Sequence, residues 1–150
     1  MPTIFNTSWL AVILATIAFF MLGWLWYGPI FGEAWMVAEG ITEDMATARL
    51  EEMGMAQWLV SAILITLGQA VGVLMVLHLA GAKRLPACLK TAFWLVVTIV
   101  APLLGYASVY GGYPLNGFFI DLGHFLVGYL IMAAIYAAFR GKDKVTVGDT

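Results

Sequence analysis

The chain has 150 residues, 63% hydrophobic and 11% charged, with a formal net charge of −2 and a mean hydropathy of +0.94. Soluble domains carry about 25% charged residues, so in water this polypeptide would expose large apolar patches and aggregate; the composition fits lipid as its solvent. The single cysteine, Cys88, excludes an intramolecular disulfide, and no basic patch is large enough for nucleic acid.

The first apolar run, residues 9–27, has no Lys or Arg before it and ends in Trp24, Trp26 and Tyr27. It lacks the basic flank and small-residue cleavage site of a signal peptide and is expected to be a retained span. A helix needs about 20 apolar residues to cross the hydrocarbon. Three further windows qualify, at residues 58–79, 89–110 and 118–139. The pattern predicts an all-α polytopic membrane protein: one domain, a four-transmembrane-helix bundle with a helical outer loop at 28–57 and a tail at 140–150.

Basic residues mark the cytoplasmic side. Six of the seven fall at two sites: Lys83, Arg84 and Lys90 beside the turn between spans two and three, and Arg140, Lys142 and Lys144 after span four. Four spans put both sites on one face, giving both termini in the cytoplasm. The acidic loop 28–57 is then outside.

Within that loop, Gly28-Pro29 is expected to break span one. The stretch from Phe31 to Glu39 suits a short helix stopped by Gly40. Thr42 looks like the N-cap of a second helix, opened by Glu43 and Asp44 and ended by Gly54. Ala46, Leu50 and Met53 share one face of it, as in an amphipathic helix lying on the membrane surface or the bundle top. Residues 110–117 form a tight turn rich in Gly and Pro.

Helices in lipid approach one another at small residues. Gly68 and Gly72 in span two, Gly105 in span three and Gly128 in span four are the expected packing positions inside the bundle. A homo-oligomer contact is the alternative for one of these stripes. Pro102 should kink span three.

Polar groups inside hydrocarbon need a reason. Asp121 and His124 lie three apart on span four, about 5–10 Å inside the outer boundary at the helical rise. Ser61 and Ser108 are expected at similar depth, with Tyr106 and Asn116 as neighbours, and Gln69 near the bilayer centre needs an interhelical partner. Three readings stand open. One is a structural hydrogen-bonded cluster, with Asp121 accepting from His124, a hydroxyl or the backbone. The second is a proton or ligand site. The third is a hydrolase built from Ser108 or Ser61 with His124 and Asp121, although no nucleophile elbow is present. His78 and His124 are separated by roughly 20 Å along the bundle, too far for a shared haem or metal. No motif for a metal, phosphate or other cofactor is found, so none is expected.

The segment Trp26-Tyr27-Gly-Pro29-Ile-Phe31-Gly32-Glu-Ala-Trp35 resembles the W-Y-x-P-x-x-F-G-x-x-W motif that follows the first span in the domain of unknown function 1761 family. Phe119-Ile120-Asp121 is similar to the aromatic-apolar-Asp pattern that opens that family's last span. The likeness covers nearly the whole chain, and Glu33 departs from it, standing where a basic or variable residue is usual. It implies a small four-span protein of the bacterial inner membrane and carries no activity with it. Physically, Pro29 would end the span and Trp26 and Tyr27 would anchor at the headgroups. Phe31 and Trp35, four apart, would form the apolar face of an interfacial helix.

These features lead to the expectation of a non-enzymatic membrane protein, acting as an accessory or assembly subunit of a larger complex or as a small homo-oligomer. The alternative is a small transporter or proton-linked binding protein using Asp121 and His124, which requires a water-accessible cavity reaching Asp121 from outside. An intramembrane hydrolase is the third possibility.

Overall fold

The structure is a computed structural model that describes residues 3–140; Lys142 and Lys144 lie outside the described residues. Among these residues, four helices are long and apolar enough to cross a membrane: Trp9–Ile30, Met55–Leu79, Leu85–Gly111 and Leu115–Phe139. Each contains or nearly matches an expected window and runs further, because the turns that flank the hydrocarbon stay helical. Their lipid-facing side chains, such as Ile17, Leu64 and Ile99, are exposed from the protein, as expected where tails and not protein cover them.

A two-residue-stranded hairpin precedes span one: β1 (Thr3–Ile4) pairs antiparallel with β2 (Thr7–Ser8). Its turn residues Phe5 and Asn6 both take positive φ, the geometry of a type I′ turn. Ser8 then caps α1 (Trp9–Leu25) by accepting from the Leu10 N–H at 3.3 Å.

Gly28-Pro29 does not break span one. The helix widens into a π turn, Trp26–Ile30, closed by the Phe31 N–H on the Trp26 carbonyl at 2.9 Å. Proline lacks an N–H and its ring crowds the carbonyl four residues back; a wider turn relieves both. Span three repeats the device. Between α5 (Leu85–Leu95) and α6 (Ala101–Gly111), the π turn Val96–Val100 sits just ahead of Pro102.

The loop forms two helices, α2 (Gly32–Glu39) and α3 (Glu43–Met53), as its caps predict. Thr42 Oγ1 accepts from the Met45 N–H at 3.3 Å. Gly40 ends α2 at φ +65°, a conformation that a Cβ would strain. The face of α3 bearing Ala46, Leu50 and Met53 lines a cavity of about 510 Å³ shared with Trp35 and Trp58. α3 thus caps the bundle at one end.

The fourth span, α7 (Leu115–Arg140), is the centre of the fold. It packs against α1 and α5 along much of its length, and also against α2, α6 and α4 (Met55–Leu79). The core is densest away from the loop helices, where Leu74, Leu77, Met132 and Tyr136 are fully enclosed. There the Tyr136 hydroxyl donates to the Ala70 carbonyl at 2.8 Å, tying α7 to α4. The hairpin lies at this same end: Phe5 stacks on His78 with ring centroids 5.3 Å apart.

The glycines divide against expectation. At Gly128 an added methyl would overlap the Phe19 ring, so this position carries the α1–α7 contact. At Gly68, Gly72 and Gly105 an added methyl would meet nothing within 4 Å. The three therefore make no close approach within the bundle.

Candidate functional site

The polar residues of span four sit where its first turns meet the end of span one. Gly117, Asp121, His124 and Gly128 follow one another at helical spacings of four, three and four, so they form one stripe. Two of its members are glycines because large rings lie against them. A methyl at Gly117 would come within 2.5 Å of the Tyr113 ring and 3.0 Å of Ala38 in α2. Gly123, beside the stripe, would bring one to 2.9 Å from the Trp26 indole. The absent side chains admit Tyr113, Trp26 and Phe19 to the backbone of α7.

Asp121 accepts two phenolic hydrogen bonds. Tyr27 donates to Oδ1 at 2.9 Å and Tyr113 donates to Oδ2 at 3.0 Å. The carboxylate thereby ties the end of span one and the turn before α7 to span four. Burial, reinforced by the bond to Asp121, pushes the Tyr113 phenol well above its usual range. Beside this pair, the Trp26 indole N–H donates to the Ile120 carbonyl at 3.0 Å.

His124 does not join Asp121, although both were expected in one hydrogen-bonded cluster. Residues three apart on a helix differ in direction by about 60°. Asp121 therefore meets the tyrosines while His124 turns into the aromatic rings of span one. The imidazole stacks on Phe19 at 4.7 Å and meets the Tyr27 ring edge-on at 4.9 Å. It is 7% exposed, and among the described residues neither ring nitrogen has a hydrogen-bond partner. One side of it lines a cleft of about 350 Å³ between α1 and α4, whose walls include Phe20, Trp24, Trp58 and Ala62.

The other expected members are elsewhere. Ser61 and Asn116 are exposed. Ser108 is half-buried, and its hydroxyl has no partner among the described residues. Tyr106 is exposed and faces Tyr110. Gln69 does find its interhelical partner, accepting from the Tyr129 hydroxyl at 3.3 Å. With no serine on His124 and no Asp121–His124 bond, the arrangement lacks the relay that a hydrolytic triad requires. Among the described residues no group of three His, Cys, Asp or Glu side chains could hold a metal ion.

The Trp-Tyr motif acquires a different meaning in three dimensions. Trp26 and Tyr27 are half-buried and bonded to span four. Phe31 packs on Trp26 at 4.8 Å, and Trp35 meets Tyr27 edge-on at 5.2 Å. Gly32 is buried, and a methyl there would lie 2.9 Å from the Tyr27 carbonyl, closer than a side chain tolerates. Every named position of the motif thus serves one junction: Pro29 goes with the π turn, Gly32 lets α2 fold back, and the four aromatic residues lock the fold-back onto Asp121 and Ile120. The model for proteins of unknown function DUF1761 matches residues 10–137. The chain belongs to the DUF1761 family. That match takes in spans two and three, the loop helices and all but the outermost residues of spans one and four. No curated protein and no solved structure matches the chain.

Tyr27 and Tyr113 are the partners that sequence reasoning missed. A signal was present: Asp121 needs donors at its own depth, and both residues carry hydroxyls within a turn or two of the span ends. Reading Tyr27 as a headgroup anchor obscured it.

Proposed function

We propose that this DUF1761 protein is a non-enzymatic integral membrane protein of the bacterial cytoplasmic membrane. In this reading it works by lateral helix association, as a small homo-oligomer or as an accessory or assembly subunit of a larger complex. The hairpin end, with Lys83, Arg84 and Lys90, faces the cytoplasm under the positive-inside rule, and α2 and α3 face outward.

The observation that carries the reading is the bare Gly68-x-x-x-Gly72 face of α4. Small-residue pairs of this spacing let helix backbones approach closely in lipid. Here neither glycine is used inside the protomer, where open space lies above both. Asp121, bonded to two phenols, serves as a structural tie in this reading and not as a transport site.

Native mass spectrometry from nanodiscs, compared between wild type and the Gly68→Leu/Gly72→Leu variant, tests it. The wild type should appear as a dimer or larger species, alone or with another chain. The variant should be a folded monomer, since a Cβ at either position has open space around it within the protomer. A wild-type monomer, or an assembly unchanged by the substitutions, would refute it.

A further inference from the structure

We propose that the cleft between α1 and α4 binds a lipid quinone that enters sideways from the bilayer, with its ring against the aromatic wall and a ring oxygen bonded to His124. Asp121, Gly68 and Gly72 do not line this cleft, so the site is distinct from the tyrosine-bonded carboxyl group and from the bare glycine face.

His124 supplies the first argument. It is more than nine-tenths buried in an apolar surround, and neither nitrogen is bonded among the described residues. A buried polar group without a partner is costly, and such groups in native proteins usually mark a ligand or a functional role. The nitrogen nearest to Gly23 is Nε2. A methyl at Gly23 would lie 3.4 Å from it, and Gly23 itself lines the cleft. With no side chain at Gly23, only a thin layer of span one separates Nε2 from the cleft.

The lining fixes the chemical class. No charged residue borders the cleft, so a phosphate or carboxylate headgroup would enter without a counter-charge, which hydrocarbon penalises heavily. The other hydroxyls at the wall are already committed: Tyr27 donates to Asp121, and Thr66 donates to the Ala62 and Ile63 carbonyls. That leaves the imidazole as the buried anchor, suited to a neutral oxygen. Phe19, Phe20, Trp24 and Trp58 give the cavity flat aromatic walls, which favour a planar ring. A second apolar cavity of about 330 Å³ shares Phe20 and Thr66 with the first and runs between Ile13, Ile17, Ile63 and Leu67. It provides a berth for a hydrocarbon or isoprenoid tail. A ring head with one hydrogen-bonding edge and an apolar tail describes a lipid quinone; a fatty alcohol would satisfy His124 but leave the aromatic walls unused.

The test uses the full chain in phosphatidylcholine nanodiscs, titrated with decylubiquinone. Tryptophan quenching by the quinone reports occupancy, and imidazole 15N resonances of a His78→Gln background, which leaves His124 as the one native histidine, report the hydrogen bond. Saturable quenching with a shift of the His124 resonance is expected. His124→Phe keeps the ring stack on Phe19 and should weaken binding about tenfold, the scale of one lost hydrogen bond. Ala62→Phe fills the cleft without touching the histidine and should abolish saturation, so a folding failure of the first variant leaves the second decisive. Quenching that rises linearly with quinone, or that is equal in wild type and Ala62→Phe, overturns the proposal. So does an equal 15N shift with decanol, which would assign the site to a simple alcohol, or no shift beyond that in phosphatidylcholine alone.

Discussion

Replacing Tyr27 with Phe removes one hydroxyl and leaves the ring contacts with Trp35 and His124 in place. The lost interaction is a 2.9 Å bond to a carboxylate oxygen, between the end of span one and the second turn of span four. Interhelical side-chain hydrogen bonds in membranes average about 0.6 kcal/mol and reach about 1.7, and one that belongs to a two-donor network lies toward the upper end. Tyr27→Phe should therefore cost about 1–1.7 kcal/mol. Asp121→Asn should cost more, about 1–3 kcal/mol, because it weakens both phenolic bonds and turns an amide N–H toward one donor. The two changes share an interaction, so the double variant should be less destabilised than the sum by about 1 kcal/mol. Equilibrium unfolding in mixed micelles, followed by tryptophan fluorescence and circular dichroism, measures all three. Additive costs within about 0.3 kcal/mol would show that the Tyr27–Asp121 bond does not hold the helices together, and the structural account of Asp121 would fail.

Three further outcomes follow from the packing. Gly128→Ala should lower the unfolding midpoint, because the methyl overlaps the Phe19 ring and overpacking costs about 1–3 kcal/mol; Gly68→Ala, with open space above it, should leave the protomer's midpoint unchanged or slightly raised. Gly32→Ala should disorder the fold-back of α2, seen as faster amide exchange across Gly32–Glu39, since its methyl would press on the Tyr27 carbonyl; unchanged exchange would contradict the close approach. The third concerns pH. The Tyr113 phenol is held protonated above its usual range, so the stability it contributes is complete below about pH 10, the unfolded value, and is lost as pH rises beyond it. Tyr113→Phe should therefore flatten the alkaline limb of a stability–pH profile, and an identical limb in both proteins would count against the buried bond.

Hydropathy alone determined the number of spans and their rough limits, because an apolar helix in lipid needs no tertiary partner to satisfy its backbone. Local chemistry likewise determined the loop helices: the Thr42 cap and the stops at Gly40 and Gly54 act within one turn and can be seen in a short window of sequence. Tertiary structure decided which small residues are contacts. Gly68, Gly72, Gly105 and Gly128 look equivalent in the chain, yet only Gly128 has a ring from another helix pressed against it. It also separated Asp121 from His124 and gave the carboxylate its partners, Tyr27 and Tyr113, which stand 94 and 8 residues away in the chain. A side chain's direction is fixed by its own helix, but what it meets is fixed by how other helices cross it. No local pattern encodes that crossing, and so His124 could be placed on a span by its sequence and at the wall of a lipid-facing cleft only by the fold.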